Sequence, residues 1–136
     1  MGGIPAALRS LVIERANNCC EYCQLSQIGQ EATFHIDHVK PRASGGLTVL
    51  ENLALACVSC SLRKGAREMV LDPETSLELP LFNPREQIWS DHFRWENETT
   101  VPLSSIGRAT IAALALNRPI ILAIRAEESL HGRHPK

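Results

Sequence analysis

Two Cys-x-x-Cys pairs limit how this 136-residue chain can fold more than any other feature of its sequence. A two-residue gap lets both sulfurs of a pair reach one ion, so four thiolates can hold a tetrahedral Zn²⁺. The alternatives are four reduced buried thiols or a redox-active pair. A structural zinc contributes about 10–16 kcal/mol of apparent binding free energy in small zinc peptides. We therefore expect the surrounding chain to fold around an ion held by Cys20, Cys23, Cys57 and Cys60.

The cysteine usage also favours a metal site over a disulfide framework. Five cysteines are an odd number, and residues 1–6 lack the charged and apolar regions of a secretory signal. Cys19 does not fit the paired spacing as well as Cys20, so it is interpreted as a spare thiol. The longest apolar tract, residues 111–124, is interrupted by Pro119 and is too short to cross a bilayer. We expect a cytoplasmic protein without a membrane partner.

Positive charge is concentrated in one segment. The whole chain has a formal net charge of −1, which excludes a global basic field. Residues 38–67 nevertheless hold five cations and a single anion, Glu51. Clustered positive charge in a mildly acidic protein is a candidate phosphate-facing surface, and a solvated basic face is the alternative. The five cations are Lys40, Arg42, Arg63, Lys64 and Arg67.

The hydrophobic pattern predicts two strands and a helix around the cysteine pairs. Residues 34–39 and 53–58 fit strands, and the second of these runs is almost wholly apolar and so expected to be buried. The loop between them carries a Gly-Gly pair, where φ can be positive. A helix is expected over 61–69, and an amphipathic helix over 6–17 precedes the first cysteine pair.

Beyond residue 70 the pattern changes. A turn is expected at 71–74. Alternating aromatic residues predict a strand over 87–95, and residues 99–103 fit its returning partner. A serine cap and a first-turn proline then indicate two helices. These helices are expected from Ser104 or Ser105 to Leu116 and from Pro119 to about Leu130.

The chain contains two Asp-His dipeptides. A carboxylate is a hard oxygen ligand suited to Mg²⁺, and a neutral imidazole can take a proton from water at physiological pH. Asp37-His38 lies between the cysteine pairs, next to the basic residues. Asp91-His92 lies among tryptophans and acidic residues, so we interpret His92 as structural.

Taken together, these motifs resemble an HNH endonuclease of the ββα-metal class. The resemblance covers about residues 14–67, and residues 81–95 resemble a C-terminal extension found in one bacterial branch of that family. It implies an α+β fold with a ββα-metal core on a four-cysteine structural zinc site. We expect a single domain over residues 1–136, with the nuclease core at 6–69 and, at 70–136, an extension of strands and helices. The motifs are Cys20-Glu-Tyr-Cys23, Phe34-His-Ile-Asp-His-Val-Lys-Pro-Arg42, Gly45-Gly46, Glu51-Asn-Leu-Ala-Leu-Ala-Cys-Val-Ser-Cys60 and Arg63-Lys-Gly65.

The resemblance also implies roles for individual residues. His38 matches the general base that activates the attacking water, and Asp37 matches a ligand of the catalytic divalent ion, Mg²⁺ or Mn²⁺. Asn52 matches an asparagine that braces the loop between the strands and orients the base. At the last motif position the family usually has His or Asn as a second metal ligand, whereas this chain has Ser61. Its short neutral hydroxyl would ligate weakly or hold a metal-bound water.

His35 is a further candidate near this position. It lies two residues before Asp37 and thus on the same face of the predicted strand. It could compensate as a metal ligand for the weak Ser61, but we favour the alternative, a hydrogen-bonded structural histidine.

The expected function is a metal-dependent endonuclease that hydrolyses phosphodiester bonds of double-stranded DNA. The five cations would hold phosphates without reading sequence. The rival is a catalytically weak or dead zinc module that binds nucleic acid and offers its C-terminal region to a protein. Ser61 favours the rival, whereas retention of both Asp37 and His38 argues against it. A structural zinc ribbon would leave the basic segment unexplained.

Overall fold

Helices and short antiparallel strands alternate along the chain, which gives the α+β class expected from the sequence. The computed structural model describes residues 3–136. Within that range, three two-stranded antiparallel sheets are formed by consecutive strands. The elements are α1 (Ala6–Arg15), β1 (His35–His38), β2 (Leu53–Ala56), α2 (Val58–Lys64), β3 (Met69–Leu71), β4 (Glu78–Pro80), α3 (Trp89–His92), β5 (Phe93–Glu96), β6 (Thr99–Pro102), α4 (Ser105–Leu114) and α5 (Pro119–Leu130).

The segment β1–β2–α2 forms a ββα unit. Strand β1 pairs antiparallel with β2 in a register that sets Asp37 opposite Ala54. All four residues of β2 are buried, as its apolar sequence predicts. The helix predicted at 61–69 was placed too late. It begins at Val58, where the Cys57 sulfur accepts a hydrogen bond from the Cys60 amide, and it ends at Lys64, followed by Gly65 with a positive φ of 53°.

The loop between β1 and β2 is held in a tight turn. Gly45 has a φ of 90°, and a Cβ on Gly46 would lie 1.7 Å from the Lys40 carbonyl oxygen. Only glycine fits such an approach. The Gly-Gly pair therefore lets the loop fold back against the end of β1.

The C-terminal extension differs from the expectation at two places. Residues 89–92, predicted as part of a strand, form the helical turn α3, and the strand begins at Phe93. The turn predicted at 71–74 overlaps the end of β3 at Leu71, and its other residues lie in the connection of the hairpin β3–β4, which the sequence pattern did not predict. The two helices begin where expected, although α4 ends at Leu114 and not at Leu116. The Ser104 hydroxyl caps α4 by accepting from the Gly107 amide at 2.9 Å, and α5 begins with Pro119.

The buried side chains of both halves form one cluster. Leu53 and Leu55 of the ββα unit belong to it together with Phe82, Phe93 and Leu114 of the extension. Within residues 3–136, no single helix is long and apolar enough to span a membrane. Helices α4 and α5 reach that length and composition only as a pair, bent by 101° at the break between them.

Candidate functional site

The four paired cysteines come together. Their sulfurs lie within 4.8 Å of one another, all four residues are buried, and the Cys23 and Cys57 sulfurs are 3.7 Å apart. Tetrahedral coordination at Zn–S ≈ 2.3 Å separates sulfurs by about 3.8 Å, so the spacing fits a zinc ion. Cys19 is buried but is not part of the cluster.

The charge of the cluster also fits a cation. Hydrogen bonds from Cys20 and Cys23 hold the pKa of the Cys57 thiol far below its ordinary value. Burial raises the pKa of the Cys20 thiol well above it. A divalent ion allows all four sulfurs to be deprotonated ligands.

Asp37 is the buried member of β1, and its carboxylate points toward α2. The Tyr22 hydroxyl donates to Asp37 Oδ2 at 2.9 Å, and Lys64 Nζ lies 3.2 Å from the same oxygen. Burial raises the pKa of the Asp37 carboxyl, and the charge of Lys64 opposes that shift. Since Asp37 is 8% exposed and Lys64 2%, each compensates the other's buried charge.

This arrangement corrects the expectation for Lys64. Its ammonium group is buried between Asp37 and the His38 carbonyl oxygen, to which it donates at 3.0 Å. A lysine held there does not reach a phosphate on the surface. The Tyr22 hydroxyl was missed as well, although its place between two cysteine ligands, Cys20 and Cys23, already put it close to the site.

His38 lies at the end of β1, half-buried. Arg42 Nε donates to His38 Nε2 at 3.1 Å, and Thr48 Oγ1 is 2.9 Å from the same nitrogen. Partial burial and then the charge of Arg42 lower the pKa of His38, against the opposing effect of Asp37. A lowered pKa favours the neutral imidazole, which is the form that a general base requires.

His35 and Ser61 are joined by a hydrogen bond, with His35 Nδ1 2.9 Å from Ser61 Oγ. Ser61 is thus oriented toward the histidine that the sequence had placed on the same strand face as Asp37. These side chains face an open groove of about 780 Å³. Arg9 of α1, which the sequence reasoning missed because it precedes the basic segment, also lines it. The groove residues used below are Arg9, His35, Asp37, His38, Arg42 and Ser61.

Asn52 lies across the loop that joins the two strands. Its Oδ1 accepts from the Lys40 amide at 2.9 Å, and its Nδ2 donates to the carbonyl oxygens of Lys40 at 3.1 Å and Leu47 at 2.9 Å. Three bonds from one side chain fix the chain immediately after His38. That loop also carries Arg42 and Thr48, the two contacts of the His38 ring.

The remaining predicted cations are exposed. Lys40 and Arg42 follow β1, while Arg63 and Arg67 lie at the end of α2 and just beyond it. Arg67 donates to the Arg63 carbonyl oxygen at 2.6 Å. Four of the five expected cations therefore lie on the surface, and Arg42 lines the groove.

Comparison with known proteins agrees with this geometry. Residues 20–67 match the sequence model of the HNH endonuclease family, and these residues contain the ββα unit and all four clustered cysteines. Residues 20–67 are therefore similar to the HNH endonuclease family. No curated protein and no solved structure gives a significant match to the chain.

Proposed function

We propose that the chain is a metal-dependent endonuclease that hydrolyses phosphodiester bonds of double-stranded DNA. The observation that carries this proposal is that the His38 imidazole and the Asp37 carboxylate both line one open groove, within the residues that match the HNH endonuclease family. A module that only binds nucleic acid needs neither group in that place.

The proposed structural ion is zinc, held by the four clustered cysteines. Their buried, disulfide-free state fits a reducing compartment such as the cytoplasm. One cysteine pair precedes the β1–β2 hairpin and the other follows it at the start of α2. One ion would therefore hold together the chain before the hairpin and the start of α2. Its role in this proposal is to hold the strand that carries Asp37 and His38.

The proposed catalytic ion is Mg²⁺ or Mn²⁺, held by Asp37 with Ser61 or a water as assigned from the sequence. Asp37 Oδ1 is the less engaged carboxylate oxygen, since its hydrogen bond is to Lys64 Nζ at 3.4 Å. The ion supplies Lewis-acid stabilisation of the scissile phosphate. The Asp37 carboxylate is a hard oxygen ligand of the kind that Mg²⁺ prefers, whereas the neutral hydroxyl of Ser61 is a weak ligand.

In the proposed reaction His38 removes a proton from the attacking water at Nε2. That nitrogen accepts a hydrogen bond from Arg42 in the absence of DNA. We propose that, when DNA enters the groove, Arg42 turns to a phosphate oxygen and the attacking water replaces Thr48 Oγ1, which lies 2.9 Å from the same nitrogen. Asn52 holds the loop so that the ring keeps its position.

Phosphates would be held by the exposed cations of the domain, a contact that sets position without reading sequence. Lys64 is left out because of its burial. Removing any one of these cations should weaken DNA binding and lower its dependence on salt. The set is Lys40, Arg42, Arg63 and Arg67, with Arg9 added from the lining of the groove.

The second candidate is a catalytically weak or dead zinc module that binds nucleic acid. The observation that favours it is the Lys64–Asp37 ion pair, which places a positive charge where the catalytic cation would bind. Ser61, which replaces the usual His or Asn, points the same way.

The first test is conversion of supercoiled plasmid by the zinc-loaded protein with Mg²⁺, then Mn²⁺. His38→Ala should reduce the cleavage rate by about 10²–10⁴-fold, because it removes the general base. The matched control is His92→Ala, which changes the histidine of the other Asp-His pair and should leave the rate close to wild type.

Each other outcome has a definite meaning. If wild type and both variants slow the migration of DNA on a gel but do not cut it, the second candidate, a module that only binds nucleic acid, is supported. Equal cleavage by wild type and His38→Ala would remove His38 from the mechanism. Loss of cleavage in His92→Ala but not in His38→Ala would reverse the assignment of the two pairs.

A further inference from the structure

Ser61 is the point at which this chain departs from its family, and the structure gives its hydroxyl a partner. We propose that His35, through Nε2, is the second protein ligand of the catalytic divalent cation, and that Ser61 orients this histidine instead of ligating the ion itself. The inference rests on the proposed function for the existence of that ion. It differs from the sequence expectation, which assigned the ligand to Ser61 and a structural role to His35.

The position of His35 supports a shared site with Asp37. Alternate residues of a strand face the same side, so these two side chains project from β1 in one direction. Both line the groove of about 780 Å³. Asp37 Oδ1, the less engaged oxygen, and the His35 ring therefore offer one oxygen and one nitrogen donor to a cation in the groove.

The hydrogen bond to Ser61 selects the nitrogen that would ligate. A metal-bound imidazole typically donates its other ring N–H to a fixed acceptor, which sets the tautomer and the ring orientation. His35 Nδ1 lies 2.9 Å from Ser61 Oγ; the proposal assigns the tautomer in which Nδ1–H donates to that hydroxyl, which leaves the lone pair of Nε2 for the ion. Among residues 3–136, Ser61 is the hydrogen-bond partner of this ring.

This donor set predicts a preference among ions. Carboxylate and water ligands suit Mg²⁺, whereas an imidazole nitrogen favours transition metals, in the order Mn²⁺ below Co²⁺ below Ni²⁺. A site of Asp37 and His35 should therefore bind Mn²⁺ more tightly than Mg²⁺. Without the imidazole that difference should shrink.

The chain contains a matched control for the His–Ser pair. His92 Nδ1 lies 2.7 Å from Ser104 Oγ in the extension, so the same two side chains meet through the same atoms away from the groove. A change at His92 removes an equivalent hydrogen bond without touching the proposed ligands.

The experiment measures Mn²⁺ binding to the zinc-loaded full chain by electron paramagnetic resonance of free Mn²⁺, with Mg²⁺ as competitor. Zinc content and the circular dichroism spectrum verify that each variant is folded. We expect Ser61→Ala to weaken Mn²⁺ binding by about 10–100-fold, as loss of a residue that orients a ligand does. His35→Ala removes the ligand itself and should weaken Mn²⁺ binding at least as much. His92→Ala should bind like wild type.

Three results would overturn the inference. They are unchanged Mn²⁺ affinity in His35→Ala, loss of binding in Ser61→Ala alone, and no Mn²⁺ binding by the wild-type protein at millimolar concentration. These results are separable from failure of the proposed function. If Mn²⁺ binding depends on His35 but the protein does not cut DNA, the proposed nuclease activity is overturned and the assignment of His35 as a metal ligand stands. If cleavage depends on His38 but not on His35, the nuclease activity stands and the assignment of His35 as a ligand is overturned.

Discussion

The two Asp-His dipeptides place the same pair of residues in opposite situations. Asp37 lies in β1, buried against Tyr22 and Lys64, while Asp91 lies in α3 and is exposed, without a side-chain partner for its carboxylate among residues 3–136. His38 lines the groove. His92 instead packs its ring against Phe82, with centroids 5.8 Å apart.

This difference shows that the surroundings, not the dipeptide, set the burial and the contacts of each pair. A strand sends neighbouring side chains to opposite faces, so Asp37 points inward while His38 occupies the other side at the strand end. In the helical turn α3, His92 is fixed by Ser104 and Phe82 and serves as a packing residue. The comparison can be tested by making the same substitution at both sites.

The largest expected effect comes from Asp37→Asn. This variant leaves the Lys64 ammonium buried without its counterion, and breaking a buried pair costs about 3–5 kcal/mol in the free energy of unfolding. Asp91→Asn changes an exposed carboxylate and should stay within about 0.5 kcal/mol of wild type. Denaturant unfolding of the zinc-loaded proteins measures both.

The double variant Asp37→Asn/Lys64→Met supplies the control. It removes both charges, so it should recover part of the stability lost in Asp37→Asn, and a double-mutant cycle isolates the pair. Equal losses from Asp37→Asn and Asp91→Asn would mean that the two dipeptides do not differ in this way.

A smaller effect is expected from Ser104→Ala. This change removes the cap of α4 and the partner of His92, and loss of a serine cap costs about 1 kcal/mol of stability. Plasmid cleavage should be unchanged, because the site lies elsewhere. Ser61→Ala removes the corresponding hydroxyl partner of His35, and it should weaken Mn²⁺ binding more than Ser104→Ala does. A reduced cleavage rate in folded Ser104→Ala would show that the second pair takes part in function.

The smallest effect is expected from Arg42→Met, and the measured quantity is the pKa of His38. The charge of Arg42 disfavours the imidazolium, so its removal should raise the pKa of His38 toward its ordinary value. Nuclear magnetic resonance titration of the zinc-loaded protein, without added catalytic ion, follows that ring. Arg94→Met, an exposed arginine of the extension, is the control. A downward shift in Arg42→Met would contradict the assigned contact.

Much of the fold follows from local sequence signals. The paired cysteines predict the cluster, the apolar run gives β2, and Ser104 and Pro119 mark the starts of α4 and α5. Each signal lies within a few residues of the element that it specifies. The strand expected over 87–95 failed for a physical reason. Contacts with distant parts of the chain hold residues 89–92 in a helical turn: Trp89 Nε1 donates to the Tyr22 carbonyl oxygen at 2.8 Å, and His92 Nδ1 lies 2.7 Å from Ser104 Oγ.

The arrangement around Asp37 could not be predicted in this way. Its two partners lie 15 and 27 residues away in the chain, and neither contact leaves a periodic pattern. Lysine is almost never fully buried unless it is paired, so Lys64 was assigned to the surface with its neighbours. The hydrogen bond of Ser61 to His35 likewise joins positions 26 residues apart.

Tyr22 links two parts of the molecule that have been described separately. Its backbone carbonyl oxygen accepts from Trp89 Nε1 at 2.8 Å, and its hydroxyl donates to Asp37. The residue sits between two cysteines of the zinc cluster, so an ion there and an ion at Asp37 would share a structural element. Coupling of this kind is reciprocal: whatever the first ion does for the affinity of the second, the second must do for the first. If both proposed ions bind, removing zinc from the cysteine cluster should therefore weaken the binding of a divalent ion near Asp37.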